Sequence, residues 1–245
     1  MHSYFISDLH LTKERPEITN AFLTFLNQQA KTAERIYLLG DLFEYWIGDD
    51  AAPLLGVEPV LAEMKKLAQN VNCFFIAGNR DFLVGSTFSE QTGFKILPDE
   101  TVIDLYGNPT LILHGDSLCI DDIPHQQFRQ QMVTNLTWRE SFLSLDIPSR
   151  IEQAKQARMQ SQQHKSEISM EIMDVTEAAV IDAFSQYSVQ QMIHGHTHRQ
   201  KTHNHQLNDQ STAKRYVLGD WSETSSVLTA KDDGSIIIEN HEITS

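Results

Sequence analysis

Arg35-Ile36-Tyr37-Leu38-Leu39-Gly40-Asp41 is the stretch from which the fold is read. Five residues of strong β character end at a glycine followed by a carboxylate, the pattern of a short strand that stops at a functional turn. The same arrangement recurs along the chain. Tyr4 to Ile6, Cys73 to Ala77, Leu111 to Leu113, Gln191 to Ile193 and Tyr216 to Leu218 are further β-rich runs. Between several of them lie stretches with helical spacing, Ile18 to Gln29 and Pro59 to Gln69. Strand and helix in alternation predict a layered α/β fold. Tyr106-Gly107-Asn108-Pro109 and, more strongly, Asp232-Asp233-Gly234 mark hairpin turns between apolar runs.

Polar clusters follow the predicted strands: Asp8-Leu9-His10, Gly40-Asp41, Gly78-Asn79-Arg80-Asp81, His114-Gly115-Asp116 and His194-Gly195-His196-Thr197-His198. Strand ends in layered α/β proteins converge on one edge, where ligands bind. Asp8 and His10 are two apart, as are His196 and His198, and residues two apart in extended backbone face one side. Carboxylate, imidazole and amide oxygen together suit a moderately hard divalent ion such as Mn²⁺, with no thiolate to favour a closed zinc site. Seven such ligands exceed what one ion takes from protein, whereas two ions about 3.5–4 Å apart that share a carboxylate use them all.

Each cluster alone says little. A strand-end Asp and His occur as turn or cap residues, Gly40-Asp41 reads as a turn, and Asn79 after Gly78 favours a left-handed conformation. His-rich stretches also occur on surfaces, and His203 and His205 read as such. The weight lies in their joint occurrence, each cluster after a β run.

Composition limits the functions available. The 245 residues fit one domain or a domain with an insertion, and 40% hydrophobic with 21% charged residues is ordinary for a globular chain. Nineteen Lys and Arg against 33 Asp and Glu give a net charge of −14, a poor basis for gripping nucleic acid. Cys73 and Cys119 form no spaced metal or disulfide motif, which fits a reducing compartment. The N-terminal residues lack the pattern of a signal peptide, and no apolar run approaches the ~20 residues needed to span a bilayer. The expectation is a cytoplasmic protein, at most resting on a membrane surface, with no obligate protein partner.

From about Asp121 to Val175 the β pattern stops. Phe128, Met132, Trp138, Phe142 and Leu143 recur at roughly helical spacing. Residues 121–170 hold six basic and six acidic side chains, so the acidity lies elsewhere. A helical insertion of this kind could cover a site for an anionic ligand. A solvated helical hairpin packed by its aromatics would have the same composition.

Taken in order, Asp-x-His, Gly-Asp, Gly-Asn-Arg-Asp, His-Gly-Asp and Gly-His-Thr-His resemble the calcineurin-like metallophosphoesterase superfamily, from Asp8 to His198. That resemblance implies two facing mixed sheets flanked by helices, with metals at the sheet edges. It implies one ion on Asp8, His10, Asp41 and His198, a second on Asp41, Asn79, His114 and His196, and Asp41 between them. Gly40 to Asp50 (GDLFEYWIGDD), Ile172-Met173-Asp174-Val175, Leu218-Gly219-Asp220-Trp221 and Arg80, where the superfamily commonly has His, narrow it further. These resemble the UDP-2,3-diacylglucosamine pyrophosphatase family, Mn²⁺-dependent enzymes of lipid A biosynthesis in Gram-negative bacteria.

The narrower resemblance implies a single domain over 1–245 with a lid at 121–175 that takes up acyl chains, two Mn²⁺ ions, and peripheral attachment to the cytoplasmic face of the inner membrane. Substrate contacts fall on Asn79, Arg80, Asp122, Ser161, Lys165 and His196, of which Asn79, Arg80 and His196 carry catalysis. Ile168 and His125 stand where the family pattern has Lys and Tyr. Met159 and Met170 are candidates for the acyl pocket, and equally for a plain apolar core.

Arg80 also has a chemical rationale. A phosphomonoester leaves as an alkoxide and gains from a general acid. A pyrophosphate leaves as a phosphate whose second pKa is about 6, so bidentate charge stabilisation by a guanidinium gains more than protonation. Two alternatives stay open on the sequence: a metallophosphoesterase acting on a soluble nucleotide or dinucleotide, and a non-catalytic scaffold of the same fold.

Overall fold

The computed structural model describes residues 1–167, 172 and 174–243, with 160–167 as helix backbone only. In chain order its elements are β1 (His2–Ile6), α1 (Pro16–Asn27), β2 (Arg35–Leu39), α2 (Ala52–Leu55), α3 (Glu58–Ala68), β3 (Asn72–Ile76), α4 (Ser86–Thr92), β4 (Lys95–Ile96), β5 (Thr101–Leu105) and β6 (Asn108–Ile112). There follow α5 (Ile123–Phe128), α6 (Leu136–Leu143), α7 (Ile147–Glu167), α8 (Glu177–Tyr187), β7 (Gln191–His194), β8 (Lys201–Gln206), β9 (Thr212–Val217), β10 (Thr224–Lys231) and β11 (Ile236–Glu242).

The strands form two sheets, in the orders β11-β10-β1-β2-β3-β4 and β5-β6-β7-β9-β8. Alternation along β1 and β2 explains how they stack. Phe5, Tyr37 and Leu39 point into the space between the sheets, where they meet Ile112, Ile193 and Leu218 of the second sheet. Ile6, Ile36 and Leu38 point the other way, onto Ile18, Phe22 and Met64 of α1 and α3. On the far side, Leu111 and Met192 pack on Val180 and Phe184 of α8. The result is a helix–sheet–sheet–helix sandwich, and it shows why β2 reads as an unbroken apolar run: both its faces are covered.

Helix starts follow the local sequence. Pro16 and Pro59 sit in the first turns of α1 and α3, where a missing N–H costs nothing. The β5–β6 hairpin turns at Tyr106 (φ 53°) and Gly107 (φ 86°), both left-handed, as a two-residue primed turn demands. Asn108-Pro109 therefore opens β6 instead of belonging to the turn.

The aromatic spacing at 128–143 is not one helix. Phe128 ends α5, Arg129–Val133 form a π-helical segment, and α6 carries Trp138, Phe142 and Leu143. Phe142 is buried while Leu143 is exposed. These helices and α7 form the helical insertion. Arg150, which is buried, fastens α7 to the Gly40–Asp50 stretch: its guanidinium donates to the Ile47 carbonyl (2.7 Å) and to Asp50. No helix among the described residues is long and apolar enough to cross a membrane.

Candidate metal centre

Strands β1, β2 and β3 run parallel, as do β6 and β7, so within each sheet their C-terminal ends open on one edge. There the two sheets meet. The His196 N–H donates to Asp8 Oδ2 (2.9 Å), and His114 Nδ1 pairs with the Leu39 carbonyl (2.8 Å). All five polar clusters thereby reach one place.

The turns that carry the candidate ligands are held in unusual conformations. Asp8 (φ 56°), His10 (48°), Asp41 (52°), His196 (65°) and His198 (58°) are all left-handed, so the two-residue pairs do not sit on the extended backbone their spacing suggests. The left-handed region costs an L-residue roughly 1–2 kcal/mol, and Asp and His enter it more readily than most. Its concentration at these positions singles this edge out as the candidate site. Glycines let the loops close in. A Cβ on Gly195 would lie 2.2 Å from Asp8 Oδ2, and one on Gly40 would lie 2.6 Å from His114 Nδ1.

Two sets of donor atoms result. In the first, Asp8, His10 and His198 each offer an atom within 4.8 Å of the others, with the His10 and His198 Nε2 atoms 3.4 Å apart. In the second, Asn79 Oδ1 lies 3.1 Å from both His114 Nε2 and His196 Nδ1. Asp41 faces both, with Oδ2 3.8 Å from His10 Nε2 and Oδ1 3.7 Å from His114 Nε2. One carboxylate thus presents an oxygen toward each set.

The electrostatics fit a cation. Asp8 Oδ1 is buried and accepts no hydrogen bond among the described residues, although His198 Nε2 lies 3.3 Å away. Burial works against ionising Asp8, yet His198, His114 and His10 hold it well below the usual carboxylate range. Burial also disfavours charge on His114, but Asp41, Asp8 and Asp116 outweigh it and raise the imidazole to about 9. A pocket that draws a proton onto a fully buried histidine carries negative potential that a divalent ion would answer. Burial lowers His10 and His196, keeping both rings neutral and able to offer a lone pair.

Of the expected substrate contacts, Asn79 and His196 are themselves donors, and Arg80 stands beside them. Its N–H donates to Asp41 Oδ1 (2.8 Å), and its guanidinium approaches Glu44 at 4.0 Å. Asp122 is buried and caps α5, accepting the His125 N–H at 3.1 Å. The side chains of Ser161 and Lys165, with Ile168, Met170 and Met173, lie outside the described residues. Met159 is 69% exposed among the described residues.

Three further side chains support the donors. Asp81 collects backbone N–H groups beneath Asp41, Asp116 pairs with Arg129, and Glu44 stands behind His10. In the sequence, only their place in the strand-end clusters points to Asp81 and Asp116. His205 corrects an expectation. It is 5% exposed, not a surface residue, because Glu177 and Arg215 satisfy its two ring nitrogens.

The calcineurin-like phosphoesterase family matches residues 1–200. A UDP-2,3-diacylglucosamine hydrolase of Haemophilus ducreyi is 46% identical over 235 residues, covering 96% of this chain and 98% of its own. The chain belongs to the UDP-2,3-diacylglucosamine hydrolase family of calcineurin-like phosphoesterases. Further members are the UDP-2,3-diacylglucosamine hydrolases of Vibrio cholerae, 46% identical over 93% of this chain and 94% of its own, and of Xanthomonas oryzae, 45% identical over 96% and 97%. A solved archaeal phosphodiesterase shares the fold at 12% identity, with a TM-score of 0.50 over 98% of this chain and 100% of its own. Membership makes this chain a hydrolase that works with divalent metal, and the donor sets provide for one.

Proposed function

We propose that this chain hydrolyses the pyrophosphate bond of UDP-2,3-diacylglucosamine, giving UMP and 2,3-diacylglucosamine 1-phosphate for lipid A biosynthesis. The substrate follows from relatives of that name aligned over nearly the full chain. The observation that carries the chemistry is Asp41, with one oxygen toward each donor set. Asp8, His10, Asp41 and His198 would hold one Mn²⁺, and Asp41, Asn79, His114 and His196 the other. When bound, such ions supply Lewis acidity and a water acidic enough to act near neutral pH.

The chain's own groups then position and stabilise. Water attacks the α-phosphorus, and the leaving group departs as a sugar phosphate that needs no proton. Arg80, tied by its N–H to Asp41, offers a planar fork to the diphosphate as charge moves onto the leaving phosphate. Asn79 and His196 hold the non-bridging oxygens. The helical insertion at 121–175 acts as a lid for the acyl chains. Exposed Ile123, Leu136 and Leu143 on it support contact with lipid at the cytoplasmic face of the inner membrane.

A metal-reconstituted assay comparing UDP-2,3-diacylglucosamine, p-nitrophenyl phosphate and a dinucleotide tests the reading. Preference for the diacylated substrate by orders of magnitude is expected. Equal or faster turnover of the dinucleotide would overturn it.

A further inference from the structure

The Glu44 carboxylate faces His10, Arg80 and Arg158 at once. The loop that carries it pairs with the loop of the first donor set: His10 N–H donates to the Asp41 carbonyl (3.0 Å), Leu11 N–H to Leu42 (2.9 Å) and Glu44 N–H back to Leu11 (3.1 Å). This stitching puts the Glu44 side chain, 16% exposed, directly behind His10. His10 turns Nε2 toward Asp41 and His198, so its other nitrogen faces away from the donor set. That Nδ1 is buried and makes no hydrogen bond among the described residues, while Glu44 Oε2 stands 3.5 Å from it. The second oxygen, Oε1, lies 3.2 Å from an Arg158 amine on α7 and 4.0 Å from one of Arg80.

We infer that Glu44 is a positioning residue that sets the Nδ1–H tautomer of His10 for metal binding and holds Arg80 and Arg158 on the same flank of the centre. The proposal rests on the metal-centre reading above. A carboxylate behind a metal-binding imidazole fixes the ring, leaves its far nitrogen with the lone pair, and makes that nitrogen a better donor; loss of such a partner typically weakens metal binding about 10–100-fold. The other oxygen sets two guanidiniums from separate elements beside the centre, where an incoming diphosphate exchanges its oxygens for that carboxylate.

Mn²⁺ binding to metal-free protein, followed by the electron paramagnetic resonance of free Mn²⁺, tests this without turnover. Glu44→Gln is expected to weaken one of two sites about 10–100-fold while the melting temperature of the metal-free protein holds. Unchanged affinity at both sites would overturn the role of Glu44 and leave the metal centre standing. Failure of the unmutated protein to bind Mn²⁺ would overturn both. The tautomer of His10 in the unmutated, metal-free protein gives a check that survives misfolding of the variant. By ¹⁵N NMR it should be the Nδ1–H tautomer, and the Nε2–H tautomer would contradict the proposal.

Discussion

Asp81 lies directly beneath Asp41 and holds its loop in place: Asp81 Oδ1 accepts the N–H of Asp41 (3.3 Å) and of Gly78 (2.8 Å), and Oδ2 accepts those of Leu42 (2.7 Å) and Phe43 (3.4 Å). Asp81 is fully buried and ties the β2 turn to the β3 turn. Burial, followed by the charge of Asp41, raises its pKa to about 7. Asp81→Ala leaves those donors without a partner and should cost about 2–4 kcal/mol, or roughly 5–12 °C in Tm for a domain of this size. Thermal unfolding of metal-free protein measures it. An unchanged Tm would mean that the turns hold themselves.

The insertion is fastened at Arg150. Arg150→Met removes its bonds to the Ile47 carbonyl and to Asp50 while keeping bulk. Because Asp50 is 59% exposed, most of the cost comes from the orphaned carbonyl, about 1–3 kcal/mol. If α7 serves as a lid for acyl chains, KM for the diacylated substrate should rise several-fold while hydrolysis of bis-p-nitrophenyl phosphate stays close to that of the unmutated protein. An equal loss on both substrates would make the helix a scaffold for the centre instead.

Both cysteines are buried, and burial raises the Cys73 thiol to about 12 and the Cys119 thiol further. With the pKa raised, the thiolate appears only far above neutral pH, and the thiolate is the reactive form. Native protein at pH 8 should therefore react with Ellman's reagent no faster than it opens, while denatured protein should release two equivalents. A fast native equivalent would place one thiol at the surface.

Much of this fold is legible in the sequence because β1, β2 and β3 are apolar on both faces. Strand β8 is not, since Lys201-Thr202-His203-Asn204-His205-Gln206 carries hardly an apolar side chain and forms only as partner to β9. The π-helical step at Arg129–Val133 has no local signal either. At the site, residue types at strand ends mark the candidate donors, and the fold gathers these at one edge. The supporting roles of Glu44 and Asp81 are invisible, because they arise from pairing between loops distant in the chain. His205 misled because a histidine in a polar run looks solvated until Glu177 and Arg215 are seen beside it.

Arg80 connects the centre to the choice of bond. Arg80→Ala should lower turnover of the diphosphate about 10²–10³-fold, and Arg80→Lys by less, since lysine keeps the charge without the fork. In ¹⁸O-water the label should appear in UMP and not in the sugar phosphate. Label in the sugar phosphate would reverse the direction of attack.

In a bridged centre Asp41 serves two ions at once. Metal content per chain, measured by inductively coupled plasma mass spectrometry after Mn²⁺ loading and gel filtration, addresses that directly. Two ions are expected for the unmutated protein, from one oxygen of Asp41 toward each donor set. Asp41→Ala, checked for retained fold by circular dichroism, should lose both. One ion in the unmutated protein, or two retained by Asp41→Ala, would contradict a centre bridged by this carboxylate.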